Sequence, residues 1–229
     1  MKKIITKLLF LCFVCVLLVS CGKVYNVGDI GPAGGYIFYD CDADNNVEYA
    51  DLESGEIKKN KDGLTSAECG WRYLEAAPTD LDGSTVETTY RFGYYRTSSS
   101  GSNLTIGTGT AIGIGKANTE ALVKAMGETT YTSDYGTTEG RYAAKACADY
   151  SITVDGVVYD DWFLPSKDEL DLMYCNLKEK DLGSFANFDY WSSSEDSNSD
   201  AWRQDFDNGS QDYSDRISTN YVRPVRAFK

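Results

Sequence analysis

The sequence DWFLPSKDELDLMYCNL, residues 161–177, carries the strongest local structural signal in the chain. Its apolar beginning, Trp162–Leu164, is typical of a strand, and Pro165 ends that strand because proline fixes φ and has no N–H donor. Ser166 and Glu169 have the spacing of a capping box, which predicts that a helix begins at Ser166. Apolar side chains then recur at the spacing of one helix face: Leu170, Met173, Tyr174 and Leu177. The stretch therefore predicts a strand, a sharp turn and an amphipathic helix.

The rest of the chain predicts a mixture of strands and helices. A polar turn at Asp155–Gly156 leads into residues 161–177, and Pro224 places the last strand at a sheet edge or a bulge. Strands are predicted at Tyr36–Tyr39, Tyr190–Ser194, Ala201–Phe206 and Tyr221–Phe228, and a strand or a turn within Cys69–Pro78. Two further helices are predicted, one capped by Asn118 or Thr119 and ending at Met126, the other from about Glu139 to Asp149.

Residues 1–20 are predicted to be a targeting segment, because lysines precede the apolar run Leu8–Val19. That run has twelve residues, which is too short to span a bilayer. The sequence LVSCG, residues 18–22, resembles a bacterial lipobox, and this resemblance implies cleavage before Cys21 and acylation of Cys21. Residues 21–26 would then be a lipidated tether in the bacterial envelope, at the surface of the outer membrane. The alternative is an ordinary signal peptide followed by a chance cysteine.

The charge of the chain limits its partners. Removal of residues 1–20 would take away three lysines and no acid, leaving 19 basic residues against 35 acidic ones and a net charge of −16. Such a charge argues against nucleic acid or another polyanion as a partner. Residues 27–229 are long enough for one domain with a single core.

Four cysteines follow Cys21 in the sequence. An even number in an exported chain indicates up to two disulfides. We favour a Cys41–Cys69 pair, because these residues bracket one acidic segment rich in glycine and lysine. Cys147 and Cys175 both lie on predicted helices, where they either pair or remain buried thiols.

Residues 40–51, DCDADNNVEYAD, resemble a calcium-binding loop. Side chains with oxygen atoms occupy the expected positions, namely Asp40, Asp42, Asp44, Asn46, Glu48 and Asp51. Asn45 stands where the sharp turn of such a loop favours glycine, and no helix is predicted before it. Two interpretations remain open, a calcium site or a solvated acidic loop. Zinc is not expected, because the chain has no histidine and the four cysteines after Cys21 show no CxxC spacing.

Six sequence blocks occur in a recognisable order. They are GPAGGYIFYD (31–40), GWRYLEAAP (70–78), IGIGKANTEALV (112–123), DWFLPSKDELDLMY (161–174), YWSSSE (190–195) and VRPVRAF (222–228). With these blocks, residues 27–228 resemble the Lcl C-terminal domain family, the domain that ends the Legionella collagen-like adhesin and recurs in bacterial lipoproteins. The resemblance implies an α+β fold, a variant of the C-type-lectin-like fold with a small twisted, mainly antiparallel sheet, two to three helices and long loops.

The same resemblance implies surface adhesion, which in the named adhesin is to sulfated glycosaminoglycans. A net charge of −16 opposes a sulfated polymer at long range, so we do not carry that ligand over. The motif residues are expected to serve as scaffold: Trp162, Pro165, Glu169, Trp191, Ser192 and Arg226.

Residues 192–220 are the candidate ligand-binding region. They mix aromatic side chains with small polar residues, as antibody contact loops do. The candidate contact residues are Trp202, Arg203, Asp205, Asn208, Gln211, Tyr213 and Arg216. The alternative is a set of ordinary solvated turns, for which the same composition is expected. Arg223 and Arg226, in the last strand, are expected to pair with carboxylates rather than with a ligand.

Catalysis is not expected. The absence of histidine excludes triads that depend on it, and no cysteine lies in a basic setting that would activate it. Asp161, Glu169 and Glu195 are nominal candidates for a glycosidase pair, but a chain with 35 acids always offers such pairs. The sequence therefore favours a lipid-anchored surface module that binds glycan or protein, and the alternative is a structural or envelope-assembly lipoprotein.

Overall fold

The computed structural model describes residues 23–43, 48–50, 57–59, 70–81, 89–94, 104–127, 132–133, 136–137 and 141–229. The targeting segment, Cys21 and Cys69 lie outside these residues, so the predictions made for them stay predictions. In the described part of the chain, none of the helices has the length and apolar character needed to span a bilayer.

Three α-helices are present in the described residues. They are α1 (Gly115–Met126), α2 (Ala143–Ala148) and α3 (Lys167–Asn176), and a short 3-10 turn at Lys178–Lys180 follows α3. Helix α3 begins after Ser166 with the predicted capping box: the Ser166 hydroxyl accepts from the Glu169 N–H, and the Glu169 carboxylate accepts from the Ser166 N–H. The apolar side chains of Leu170, Met173 and Leu177 are buried, so this prediction is confirmed.

The strands are short. They are β1 (Tyr36–Asp40), β2 (Glu48–Ala50), β3 (Ile57–Lys59), β4 (Tyr73–Ala76), β5 (Tyr90–Arg91), β6 (Thr132–Ser133), β7 (Gly136–Thr137), β8 (Ile152–Val154), β9 (Val157–Tyr159), β10 (Asp189–Glu195), β11 (Asp200–Asp205), β12 (Gln211–Asp215), β13 (Thr219–Asn220) and β14 (Val225–Phe228).

Two three-stranded antiparallel sheets organise the fold. One has the order β1-β4-β14 and the other the order β10-β11-β12, while the remaining strands form two-stranded pairs. The described chain is therefore α+β with several small antiparallel sheets, in place of the single small sheet that we expected. Strand β14 lies at the edge of its sheet, as Pro224 predicts.

The main core lies between α3 and the two sheets. Phe38, Leu74, Met173, Tyr190 and Phe206 are all buried there. A second cluster joins α1 and α2 to the other side of β10; its members include Leu122, Tyr142, Cys147 and Trp191. Strand β10 thus supplies both clusters with consecutive aromatic residues, because successive side chains point to opposite faces.

Several predicted boundaries were wrong. Helix α1 begins at Gly115, and its N-cap residue is Ile114. The predicted caps, Asn118 and Thr119, are internal positions of this helix, and both are buried. Residues 211–215, which we interpreted as loop, form β12. The apolar run 162–164 makes only an isolated bridge, Phe163 to Val225, instead of a strand. The last strand is shorter than predicted and begins at Val225.

The cysteines divide between buried and exposed positions. Cys41 is buried at the end of β1, and its predicted partner Cys69 lies outside the described residues. Cys147 is a buried free thiol, and Cys175 is an exposed free thiol, so these two do not form a disulfide. Burial raises the pKa of the Cys147 thiol well above its ordinary value.

Candidate functional site

A buried carboxylate, Glu75, joins four of the six sequence blocks. Its oxygens accept from the N–H groups of Ala33 and Gly35, both at 3.0 Å, and lie 3.2 Å from Nη1 of Arg226. Arg226 also forms a two-point pair with Asp161, with distances of 2.7 and 2.9 Å. Burial raises the pKa of Glu75, while the Gly35 N–H and Arg226 favour its charged form. The network fixes β14, β4 and the turn before β1 to one another.

A second buried carboxylate, Glu169, caps two helices at once. It accepts from the Ser166 N–H at the start of α3 and from the N–H groups of Gly113 and Gly115 at the start of α1. Complete burial raises the pKa of Glu169 to about 7, although these N–H donors oppose that shift. A Cβ on Gly115 would lie 2.2 Å from a Glu169 oxygen, so this contact requires glycine. Glu169 therefore acts as scaffold, as the sequence predicts.

A third carboxylate, Glu195, holds the glycine-rich segment 106–109. It accepts from the N–H groups of Ile106 and Gly107 at 3.0 and 2.7 Å, and it forms an ion pair with buried Arg216. The Ser194 hydroxyl donates to the Gly109 carbonyl at 2.7 Å. The block YWSSSE thus anchors an irregular segment instead of forming a ligand pocket.

Helix α3 packs along β11 because side chains recur along one helix face at nearly the distance at which they recur along one strand face. Three to four helical residues advance about 4.5–6 Å and two strand residues about 6.6 Å, so helical positions three or four apart meet every second strand residue. Lys167 Nζ lies 4.0 Å from the Trp202 ring centroid, and Asp171 accepts from Gln204 at 2.8 Å. One turn further, the Tyr174 and Phe206 rings are 5.4 Å apart.

The candidate binding surface is the end of the β11–β12 face beyond this helix. Residues directly opposite each other in an antiparallel pair share a face, and here they form three matched rows. The rows are Asp200 with Asp215, Trp202 with Tyr213, and Gln204 with Gln211. We call the surface formed by Asp200, Trp202, Gln211, Tyr213 and Asp215 the ladder face.

Aromatic side chains form the middle of the ladder face. Trp202 and Tyr213 meet edge to face with ring centroids 5.9 Å apart. Tyr213 is 51% exposed and Trp202 is half-buried, with the Lys167 ammonium over its ring. The Gln211 amide donates to the Lys167 carbonyl at 3.0 Å, which fixes the strand to the start of α3. Because these contacts fix the aromatic pair, it offers apolar contact area and loses little conformational entropy when a ligand binds.

Carboxylates outnumber the Lys167 ammonium around the ladder face. Asp200 accepts from the hydroxyls of Ser197 and Ser199, and Asp215 accepts from the Ile217 N–H. Asp168, at the start of α3, has its pKa raised by burial. These groups can accept hydrogen bonds from hydroxyl or amine donors and would repel a sulfate or phosphate.

The structure brings together only part of the predicted contact set. Trp202, Gln211 and Tyr213 share the ladder face. Arg203 lies on the opposite face, where its guanidinium pairs with Asp189 and Ser214. Asp205 ends β11 and accepts a hydrogen bond from the Asn208 amide in the turn that follows. Arg216 is fully buried beside Glu195, so it is not available as a contact residue.

Sequence reasoning missed two aromatic features of this region. Lys167 had no predicted role, because its contact with Trp202 depends on how α3 packs on β11. Phe188 is 61% exposed and stacks on Tyr221 with ring centroids 5.4 Å apart and nearly parallel planes. The position of Phe188 just before β10 carried no signal, because single exposed apolar residues are common.

The predicted calcium ligands are only partly within the described residues. Asp40 forms a two-point pair with Arg72 at 2.9 and 3.0 Å, and Asp42 lies 3.2 Å from the same guanidinium. Asp44, Asn46 and Asp51 lie outside, and only the backbone of Glu48 is described. The described residues contain no group of three acids or cysteines that is placed to hold a metal. Calcium binding stays a prediction.

The described residues form a small α+β domain in which buried carboxylates hold the backbone and the Tyr213 ring faces solvent. Residues 115–226 match the family model of the Lcl C-terminal domain, a non-enzymatic, adhesin-associated family, which confirms the resemblance seen in the sequence for these residues. This part of the chain contains the three described helices and the two strands of the ladder face, β11 and β12. No curated protein matches the chain significantly. The family association indicates a cell-surface protein.

Proposed function

We propose that the protein is a cell-surface adhesion module, held on the bacterial outer membrane by lipid at Cys21, which binds a glycan without sulfate groups through the ladder face. The exposed Trp202–Tyr213 pair, flanked by a carboxylate row and an amide row, carries this proposal. We also propose that its fold is a variant of the C-type-lectin-like fold.

The three rows offer contacts for both the C–H face and the hydroxyl groups of a sugar ring. Its C–H face can pack on Tyr213, and its hydroxyls can donate to Asp200 or Asp215 and bind Gln211. Contact areas of this kind combine a rigid aromatic anchor with adaptable polar groups. Because the flanking groups are acidic, an uncharged or amine-bearing sugar fits better than a sulfated one.

A glycan array tests the proposal. The chain from Gly22 to Lys229 is applied once with calcium and once with a chelator, together with the Trp202→Ala/Tyr213→Ala variant. We expect unsulfated glycans to bind and the double variant to lose at least about tenfold in affinity, since buried aromatic anchors contribute about 2 kcal/mol or more. Binding only with calcium would assign a role to Asp40–Asp51.

Phe188→Ala is the matched control, because it removes an exposed aromatic ring outside the ladder face. Equal loss of affinity in this control would contradict the assignment to the ladder face. Unchanged binding in the folded double variant would contradict it as well. If no glycan binds, an envelope-assembly role without a soluble ligand replaces the adhesion proposal.

A further inference from the structure

A second concave site lies on another part of the domain, between α1 and residues 160–163. It encloses about 470 Å³, which is within the range of small-ligand pockets. Val123, Trp162 and Phe163 give it an apolar floor, and Ala148 at the end of α2 closes one side. None of these residues belongs to the ladder face. We call this site the cleft.

Charged side chains of opposite sign flank the cleft. Lys116 and Lys124 stand on the α1 wall, and Asp160 stands on the other wall. In the described part of the chain, these three side chains make no hydrogen bond or ion pair. Asp161, which also lines the cleft, differs because it forms an ion pair with Arg226, at 2.7 and 2.9 Å.

The α1 wall is cationic along its length. Lys116, Glu120 and Lys124 recur every fourth residue, so they form one row about 12 Å long. Glu120 offsets one of the two lysines, and one positive charge remains on this wall. The opposite wall keeps the negative charge of Asp160. A ligand that satisfies both walls therefore carries an anionic end and a cationic end.

The size of the cleft limits the separation of those ends. A space of 470 Å³ is about 8 Å across if its width and depth are similar. An extended peptide advances about 3.5 Å per residue, so two or three residues span this distance. A single amino acid holds its two charges too close together to reach both walls.

We propose that the cleft binds a short peptide with free termini, two or three residues long, with an apolar side chain. The terminal carboxylate pairs with Lys116 or Lys124, the terminal ammonium pairs with Asp160, and the apolar side chain lies against Trp162 and Phe163. This site is separate from the ladder face, so the proposal does not depend on glycan binding.

NMR of the full-length chain tests the proposal with the tripeptide Ala-Phe-Ala as the probe. The Trp162 indole N–H, which donates to the Tyr159 carbonyl at 3.0 Å, is the reporter in the cleft, and Trp162→Phe identifies its signal. We expect the free tripeptide to shift this signal and not that of Trp202, with a Kd between about 10 μM and 1 mM. The same peptide acetylated and amidated at its ends should bind about tenfold more weakly.

Three variants and one control complete the test. Lys116→Gln/Lys124→Gln should weaken the free tripeptide about tenfold, and Asp160→Asn about threefold. Ala148→Trp changes an exposed residue and should abolish binding by filling the cleft. Asp207→Asn, an exposed acid elsewhere, should have no effect. The proposal fails if the Trp162 signal does not move, if the blocked peptide binds equally well, or if the charge variants bind like the unaltered chain.

Discussion

The Gly35→Ala substitution is expected to destabilise the domain severely, because of one close approach between strands. An added Cβ at residue 35 would lie 1.8 Å from the Ala76 carbonyl oxygen, whereas contacts of Cβ atoms below 3.0 Å are essentially never found. The two segments would have to separate by at least 1.2 Å, the difference between these distances. Strand β4 cannot move away freely, because β14 pairs with its other edge.

The loss in the free energy of unfolding follows from the hydrogen bonds that this separation would break. The N–H groups of Ala33 and Gly35 both bind the buried Glu75 carboxylate at 3.0 Å. Hydrogen bonds to a charged group contribute about 1.5–3 kcal/mol each, so the loss of both lowers the free energy of unfolding by about 3–6 kcal/mol. That is a large part of the stability of a typical domain.

Urea unfolding followed by tryptophan fluorescence measures this loss. Gly156→Ala is the matched control: Gly156 has φ +80°, but nothing lies within 4 Å of its added Cβ. The control should therefore lose only about 1–2 kcal/mol, from backbone strain. A Gly35→Ala protein that is as stable as Gly156→Ala would refute the argument that the approach of residue 35 to Ala76 is sterically required.

Further predictions concern buried charges and thiols. The pKa of Glu169 in the folded protein, about 7, lies above its ordinary value of 4.5. Its contribution to stability is therefore fully present below about pH 4.5 and is lost as the pH rises through 7. The urea midpoints at pH 5 and pH 8 should differ less in Glu169→Gln than in the unaltered protein. Arg223→Met should lower the free energy of unfolding by about 3–5 kcal/mol, because it leaves Asp80 without its cation and the Ala77 and Gly183 carbonyls without this donor. A chromogenic disulfide reagent should label Cys175 in the native protein and Cys147 only after unfolding.

Each of these predictions has its own control. For Glu169, an equal dependence on pH in both proteins would show that another group causes it. For the buried arginine, Arg203→Met is the comparison, because Arg203 is partly exposed and its loss should cost about 1 kcal/mol or less; equal losses would be inconsistent with the role of burial. Cys175→Ser should remove the rapid labelling, and labelling that persists at Cys147 would contradict its burial.

Local signals in the sequence predicted α3 well, because all the groups that start and orient this helix lie within it. The capping box needs only Ser166 and Glu169, and the apolar face needs only the spacing of Leu170, Met173 and Leu177. Block order predicted the family, and the excess of carboxylates predicted the partners of Arg223 and Arg226.

The start of α1 was not predictable from local rules, because its cap comes from another helix. Asn118 and Thr119 are good N-cap residues by type, but Glu169 accepts from Gly113 and Gly115 and moves the start to Gly115. The Asn118 side chain instead bonds both the N–H and the carbonyl of Gly109. A contact between residues 56 positions apart, Gly113 and Glu169, thus overrode the local preference.

Strand β12 was missed for a different reason. Its sequence, QDYSD, has no alternation of apolar and polar residues, because it is an edge strand without a core face. The pairing with β11 creates the ladder face, so a region that was expected to form loops is part of a sheet. The cleft had no sequence signal, since α1 and residues 160–163 meet only in the folded chain.

The Glu75–Arg226 contact has a consequence for how the protein is made. These residues are 151 positions apart, and β14, which carries Arg226, completes the sheet beside β4. While residues 1–225 are being synthesised, Glu75 has no cation to accompany it into the interior, and one edge of β4 stays open. The Glu75–Arg226 contact and the β4–β14 pairing therefore form only after residue 226 has been synthesised, and contacts of such sequence separation form slowly. A chain whose native contacts form this late remains largely unfolded throughout its synthesis.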